Sequence, residues 1–315
     1  MNSSEPIMRR KPGRSMSLRE ALRSAQAYLQ EQGVADAAVD AWILLEHVTG
    51  ISRAAFLADG MRPMEEMDAK RYFALVEKRG SHIPLQHITG EQEFMGLTFR
   101  VNEHVLIPRQ DTEVLVEETL AHLRPGMRVL DMCTGSGCIA VSLKKLWRGD
   151  GAGLSRKAQK DGAEEITVDA ADISRDALFV AEENAGRLKA DIRLIQSDLF
   201  AQIGGTYDVI VSNPPYIESS EIEKLADEVR LHEPRQALDG TEDGLYFYRR
   251  ILLEGTPHLK DGGWLLFEIG CGQAAQVAEL MRRSGYEEIK VVQDLAGLDR
   301  VVAGRQKKIQ EGIHV

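Results

Sequence analysis

The run Arg128-Val129-Leu130-Asp131-Met132-Cys133 passes without a break into Thr134-Gly135-Ser136-Gly137-Cys138-Ile139-Ala140, and a helical stretch follows from Val141 to Trp147. An apolar strand, a glycine turn and a helix in that order form the first βα unit of a doubly wound sheet, with backbone N–H groups aimed at a ligand above the turn. No other stretch limits the fold as much. Gly135-x-Gly137-x-x-Ala140 also satisfies the dinucleotide fingerprint, a weak signal on its own. That fingerprint asks for an acidic residue about 20 positions on, at the end of the second strand, where it can hold a ribose hydroxyl. Asp172, after Ile166-Thr167-Val168, stands 35 positions beyond Gly137. Arg148 to Ala163 is a 16-residue Gly/Lys/Asp-rich stretch without periodicity, and treating it as a surface loop leaves 19 positions. The spacing is then restored.

A third strand, Ile192 to Gln196, leads into Ser197-Asp198-Leu199-Phe200. A fourth, Val209-Ile210-Val211-Ser212, stops at Asn213-Pro214-Pro215-Tyr216. Ligands of open α/β sheets bind beyond the carboxyl ends of the strands, so Thr134 to Gly137, Asp172, Asp198 and Asn213 are expected to converge on one crevice. Neither proline has an N–H, and each pushes its predecessor towards extended geometry, which makes a stiff polar tip. The Asn213 side-chain oxygen and the Pro214 carbonyl can together take both hydrogens of a planar NH2 group, and Tyr216 offers a face to stack on it. Taken alone, these four residues also describe a strand that ends in a proline turn.

The remaining elements fill out a two-part chain. From Ser17 to about Arg79 apolar residues recur at helical spacing, with Ser17 and Glu20 forming a capping box. The expected organisation is a disordered basic tail over 1–16, a small helical bundle over 17–80, a β-hairpin linker over 81–108 and an α/β domain over 109–315. The linker rests on alternation in Pro84 to Gly90 and Phe94 to Val101 around glycines. Pro108-Arg109-Gln110-Asp111-Thr112-Glu113 opens a helix that runs to about Leu123, with acidic residues suited to its first turn. The charged stretch from Glu218 to Gly244 reads as a lid or binding loop. Helices at Leu245 to Leu253 and Gln273 to Arg283, a strand at Trp264 to Ile269 and two last strands near 289–293 and 300–303 complete a mostly parallel, doubly wound sheet whose last strand is expected to be antiparallel.

Composition narrows the classes of partner. The net charge is −10, and residues 1–80 carry 12 Lys+Arg against 11 Asp+Glu, so the acidity lies in the larger domain. A binder of duplex nucleic acid needs cations to neutralise phosphates, so no direct nucleic-acid binding is expected. Cys133, Cys138 and Cys271 give neither a disulfide set nor a zinc spacing, which fits a reducing, cytoplasmic compartment and no metal. No apolar run is long enough to span a membrane, and a monomer is the default expectation.

A glycine loop followed by two acidic strand tips suits an adenosine, with Asp172 on the ribose, Asp198 near the adenine amino group and Leu199 against the ring. No Walker lysine follows the loop, which leaves a dinucleotide or S-adenosylmethionine. Nothing marks a hydride acceptor site, whereas the Asn213 tip suits the nitrogen that a methyl donor needs. Residues Val129 to Ala140, Asp172, Ser197 to Phe200, Val211 to Ile217, Pro108-Arg109-x-Asp111-Thr112-Glu113 and Glu233-Pro234-Arg235-x-Ala237-Leu238 resemble the release factor glutamine methyltransferases, the HemK/PrmC family. The resemblance covers nearly the whole chain. It implies a Rossmann-like class I methyltransferase fold that moves a methyl group from S-adenosylmethionine, leaving S-adenosylhomocysteine. The acceptor it implies is the side-chain amide of the glutamine in the Gly-Gly-Gln tip of class I peptide chain release factors. It puts Cys133, Thr134, Gly135, Ser136, Gly137, Asp172, Leu199 and Asn213 on the cofactor, and Asn213, Pro214, Pro215 and Tyr216 on the glutamine, with Phe94 and Arg109 near it. Gln110 replaces the family's usual proline and Met132-Cys133 its Leu-Gly, and the insertion at 148–163 is extra. An adenine N6 methyltransferase of DNA or RNA shares the Asn-Pro-Pro-Tyr tip, and a nicotinamide-dependent oxidoreductase shares the glycine fingerprint but leaves that tip unexplained.

Overall fold

A computed structural model describes residues 16–147 and 165–307. They form two compact units: the residues up to Gly90 with the helix Asp227–His232, and Glu91–Ala226 with the chain from Glu233 onward. The inserted loop expected at 148–163 and all but the last residue of the expected tail lie outside the described residues. Met16, assigned to the tail, instead packs on the bundle core, and its carbonyl accepts from Met64 N at 2.8 Å.

The first unit is helical: α1 Leu18–Glu31, α2 Ala37–Thr49, α3 Arg53–Asp59, α4 Glu66–Gly80 and α5 Leu85–Thr89. The capping box forms as the sequence predicts, with Glu20 N donating to Ser17 Oγ at 3.3 Å and Ser17 N donating to the Glu20 carboxylate at 2.9 Å. Leu18, Ala21, Leu22, Ala25 and Leu29 then fall on one buried stripe, the 3.6-residue period placing them against α2 and α4. One feature of this core carried no signal in the sequence. The Arg79 side chain, only 5% exposed, pairs with Asp40 at 2.6 Å and with Glu228 of the helix Asp227–His232 at 2.5 Å.

The hairpin is shorter than the alternation predicts. Residues 85–89 are helical because Pro84, with its fixed φ of −53°, stands at the N-cap and Gly90, at φ 75°, supplies a left-handed C-cap. The hairpin consists of β1 Glu91–Phe94 and β2 Leu97–Arg100, and it belongs to the second unit with the rest of the expected linker up to Pro108.

The second unit continues with α6 Glu113–His122, β3 Arg128–Met132, α7 Cys138–Leu146, β4 Thr167–Asp172, α8 Arg175–Leu188, β5 Arg193–Gln196 and β6 Tyr207–Ser212. The short helices α9 Ser219–Ile222, α10 Asp227–His232 and α11 Arg235–Leu238 follow where a lid was expected, with α10 belonging to the first unit. The chain closes with α12 Tyr246–Gly255, β7 Leu259–Glu268, α13 Ala274–Arg283, β8 Tyr286–Gln293 and β9 Asp299–Gln306. Seven strands pair in the order β5-β4-β3-β6-β7-β9-β8, and only β9 runs antiparallel to its neighbours. This is the mostly parallel α/β sheet with an antiparallel last strand that the sequence predicts. Strands such as Val129–Met132 and Val209–Ser212 are buried on both faces, and two apolar clusters cover the two sides of the sheet.

Candidate functional site

Register decides what meets at the carboxyl edge of this sheet. Met132 pairs with Ala171 on one side and Ser212 on the other, while Ser212 pairs with Phe267 and Asp172 with Gln196. The next residues along, Cys133, Asn213 and Glu268, therefore leave the sheet side by side, with Asp172 and Ser197 close by. Above that edge lies a cavity of about 350 Å³, walled by Thr112, Cys133 to Ser136, Asp172, Asp198, Leu199, Asn213 and Pro215 among others. That size suits a small organic ligand.

The glycine turn is shaped by its backbone. Cys133, Gly135 and Gly137 have φ of 64°, 54° and 78°. A Cβ on Gly137 would stand 3.1 Å from that of Ala181 on α8, so the helix can lie this close only over a glycine. Cys133 holds the same left-handed region without a glycine's freedom, so the departure from Leu-Gly is accommodated with some strain rather than avoided. Asp172 fastens the turn to β4: its Oδ2 accepts from Gly135 N and its Oδ1 from Ser174 N, both at 2.9 Å. A carboxylate has about four lone-pair sites, so this leaves acceptor capacity for a diol. Burial raises the Asp172 pKa, while the N–H groups of Ser174, Gly135 and Ile173 work against that rise.

Behind the turn stands Asp131, with no exposed surface. Its Oδ2 accepts from Thr134 Oγ1 at 2.5 Å and Ala140 N at 3.1 Å, while Oδ1 has no partner among the described residues. Desolvation pushes its pKa up to about 7, against the pull of those two donors. Asp198 makes an ion pair with Arg250 at 2.9 Å, and Arg250 lines the cavity together with Tyr246 and Phe247 of α12. Leu199 sits on the wall with φ 44° and 4% exposure.

Facing the turn is the Asn213 tip. Asn213 Nδ2 donates to Thr112 Oγ1 at 3.4 Å, and Thr112 is 2% exposed. Pro215 lines the cavity, but Pro214 and Tyr216 do not. The stacking face expected of Tyr216 is thus not on the wall. Its hydroxyl reaches back to Glu268 Oε1 at 3.4 Å, and its carbonyl accepts from Gln273 Nε2 at 3.0 Å. Gly240 and Gly244 back this segment closely, since a Cβ on Gly244 would lie 2.4 Å from the Tyr216 carbonyl.

Arg109 lines the cavity and is paired with Glu233, whose other oxygen accepts from Ile107 N at 3.3 Å. The two sequence segments built around Arg109 and Glu233 therefore meet. Asp111 pairs with Arg300 at 3.1 Å, and Glu113 accepts from Met95 N at 2.6 Å. Phe94 is not brought to the site. It is 1% exposed and packs edge-on against Phe99 at 6.0 Å in the apolar cluster beside the sheet, because β1 turns this side chain inward.

Sequence reasoning passed over Thr112 on the cavity wall and the buried carboxyls Asp131 and Glu268 behind it. For two of them a signal existed: Asp131 and Glu268 are acidic residues inside apolar strands, and such residues are almost never fully buried without a reason. For Thr112, which read as part of a helix start, only the tertiary contact with Asn213 reveals more.

Comparisons with known proteins meet this geometry. Residues 20–90 match the PrmC N-terminal domain, and residues 110–247 the methyltransferase small domain. The release factor glutamine methyltransferase of Geobacter sulfurreducens is 41% identical over 290 residues, covering 92% of this chain and 96% of that protein. The chain belongs to the release factor glutamine methyltransferase family. A family member from Bacillus subtilis is 38% identical over 90% of this chain and 96% of its own length. Among solved structures, the hMettl16 catalytic domain, in complex with a 3'UTR hairpin, superposes with a TM-score of 0.50 at 17% identity, over 78% of this chain and 84% of that one. That likeness is one of fold. Among the described residues of this methyltransferase, no helix is long and apolar enough to cross a membrane.

Proposed function

We propose that this protein transfers a methyl group from S-adenosylmethionine to the side-chain amide nitrogen of the glutamine in the Gly-Gly-Gln motif of class I peptide chain release factors, in the cytoplasm. The observation that carries the reading is the placement of Asn213 in the same cavity as Asp172, Leu199 and the glycine turn, in a chain of this family. An acceptor for amide hydrogens and a cradle for an adenosine then face each other. The residues fit such a cofactor: Asp172 has acceptor capacity for a ribose, Leu199 an apolar face for a ring, and the positive-φ turn brings backbone close to a chain beyond the ribose. Asp198, which the sequence put near the adenine amino group, divides its charge with Arg250. When bound, the cofactor supplies an electrophilic methyl group on a sulfonium.

An amide nitrogen is a poor nucleophile because its lone pair is delocalised into the carbonyl. Asn213 Oδ1, on the cavity wall, accepts one of its hydrogens, fixes its direction and stabilises the positive charge that develops on it. Orientation of this kind contributes ~7 kcal/mol or more to a well-held attack. The proton leaves to water after transfer. Arg109, held by Glu233, lines the same cavity and offers its guanidinium to the release factor backbone around the glutamine.

The test is transfer of label from radiolabelled S-adenosylmethionine, offering unmodified release factor, DNA and RNA in parallel. Label on the Gly-Gly-Gln glutamine, absent with Asn213→Ala, supports the reading. Label on adenine alone makes the protein a nucleic-acid methyltransferase instead, and label nowhere removes the assigned acceptor.

A further inference from the structure

Pro214 and Pro215 have no N–H, so β6 cannot carry its ladder through them, and the chain beyond Ser212 has to be held by other groups. At the base of the tip Ser212 is secured. It pairs with Met132 and Phe267, and its hydroxyl donates to the Met132 carbonyl at 2.7 Å. At the far end stands Gln273, the N-cap of α13, to which the reaction as written above gives no part. Its Nε2 donates to the Tyr216 carbonyl at 3.0 Å and to the Gly244 carbonyl at 3.4 Å, while its Oε1 accepts from Gly270 N at 2.9 Å.

The two ends of this amide are not interchangeable. A backbone N–H only donates and a carbonyl only accepts, so Gly270 N requires the oxygen, and the Tyr216 and Gly244 carbonyls require the nitrogen. The fit is also close. A Cβ on Gly244 would stand 2.7 Å from Gln273 Nε2, and one on Gly270 2.9 Å from Oε1, so a side chain at either position would push the amide off its contacts.

We infer that Gln273 is a positioning residue for methyl transfer: by holding the Tyr216 carbonyl, it fixes the far end of the Asn213-Pro214-Pro215-Tyr216 tip and with it the aim of Asn213 into the cavity. The inference rests on the methyl-transfer reading above. With φ locked at both prolines the tip is a stiff strut, and a strut clamped at both ends keeps its direction. Asn213 lies between the clamps. Its own bond to Thr112 Oγ1, at 3.4 Å, is too long to fix a side chain unaided. Release of the Tyr216 end lets the strut swing about Ser212, and a displacement of about 1 Å at the reacting centre costs on the order of 10²-fold in rate. Gln273 itself is not on the cavity wall, and among the described residues it bonds to none of the groups assigned to the cofactor. Its influence therefore falls on turnover rather than on cofactor binding.

Full-length wild type, Gln273→Met, Gln273→Glu, Asn213→Ala and the Asn213→Ala/Gln273→Met double variant are compared on unmodified release factor, with S-adenosylhomocysteine binding measured by calorimetry for each. Gln273→Met keeps the length of the side chain and removes both bonding groups. Gln273→Glu keeps the acceptor for Gly270 N and sets a carboxylate against two carbonyls. Loss of the clamp predicts that kcat falls about tenfold or more in both single Gln273 variants, with S-adenosylhomocysteine affinity held within about threefold. On the Asn213→Ala background, Gln273→Met changes kcat by no more than about twofold, since it acts only through the aim of Asn213. A role as helix cap alone predicts otherwise: Gln273→Glu, which is favoured at a helix N-terminus, would turn over like wild type. Wild-type kcat in either Gln273 variant, S-adenosylhomocysteine affinity lost in step with kcat, or a further loss on the Asn213→Ala background overturns the inference while the functional reading stands. A wild type that binds S-adenosylhomocysteine but leaves release factor unlabelled overturns both.

Discussion

The two walls of the cavity are built by opposite means. On the glycine-turn side, the groups that shape the site come from one short stretch and the strand beside it: Asp131, Cys133, Thr134, Gly135 and Gly137 with Asp172, joined by backbone N–H groups and left-handed φ values. On the Asn213 side, the four-residue tip is held by side chains from far along the chain. Thr112 lies 101 positions before Asn213, Glu268 lies 52 after Tyr216, and Arg109 is tied to Glu233 across 124 positions. A wall made of local backbone geometry tolerates little at a few positions. A wall made of long-range side-chain contacts spreads its tolerance over many, and loses orientation before it loses the fold.

The comparison breaks if the walls respond alike. The largest expected effect is on catalysis: Asn213→Ala lowers kcat by about 10²–10³, as removal of a single transition-state partner does, with S-adenosylhomocysteine affinity in calorimetry largely kept. Asp172→Ala should do the reverse and weaken S-adenosylhomocysteine first. Loss of cofactor affinity in both would mean that the walls are not separable. Next comes Phe94→Ala, which leaves a cavity in the apolar cluster and costs about 3–5 kcal/mol in urea unfolding. A change in KM for release factor with stability intact would return Phe94 to the site. Gly137→Ala forces a Cβ against Ala181 at positive φ and costs on the order of 1–3 kcal/mol, with weaker cofactor binding. Cys133→Gly, in the same turn, should gain stability or leave it level, because the strain at φ 64° is relieved while the unfolded chain becomes freer.

The smallest expected effect is one of pH, and it is common to both walls. Asp131 and Glu268 titrate near 7, well above the ordinary carboxylate range, because both are buried. Between the unfolded value near 4 and the folded value near 7, the folded chain keeps protons that the unfolded chain has released, so each group lowers stability as pH rises through that window. Relative to wild type, Glu268→Gln should therefore look more stable at pH 8 than at pH 5 in thermal melts. A melting-temperature difference that is flat across the window would mean that Glu268 keeps an ordinary pKa.

In the first unit, the buried Arg79 between Asp40 and Glu228 follows the long-range pattern of the Asn213 wall. Two carboxylates 188 positions apart in sequence share one guanidinium, and nothing local to α2, α4 or α10 announces it.

Sequence alone determined the βα unit at Arg128 to Trp147, the mostly parallel sheet implied by alternating elements, the capping box at Ser17 and the convergence of Thr134 to Gly137, Asp172, Asp198 and Asn213 at one edge. These follow from periodicity, from the φ freedom of glycine and the missing N–H of proline, and from the rule that parallel strands end together, all of which act over a few residues. The register of seven strands decided the rest. It set Glu268 beside Asn213, while the separate β1–β2 hairpin turned Phe94 into the core, Tyr216 turned away from the cavity wall, and the chain before α6 brought Thr112 to the Asn213 amide. Pro84 and Gly90, which fit a hairpin equally well by composition, became helix boundaries because residues 85–89 pack on the bundle with Leu85 inward. Hydrogen bonds between residues more than a hundred positions apart have no periodicity to betray them, and only the folded chain selects which of the many polar residues meet.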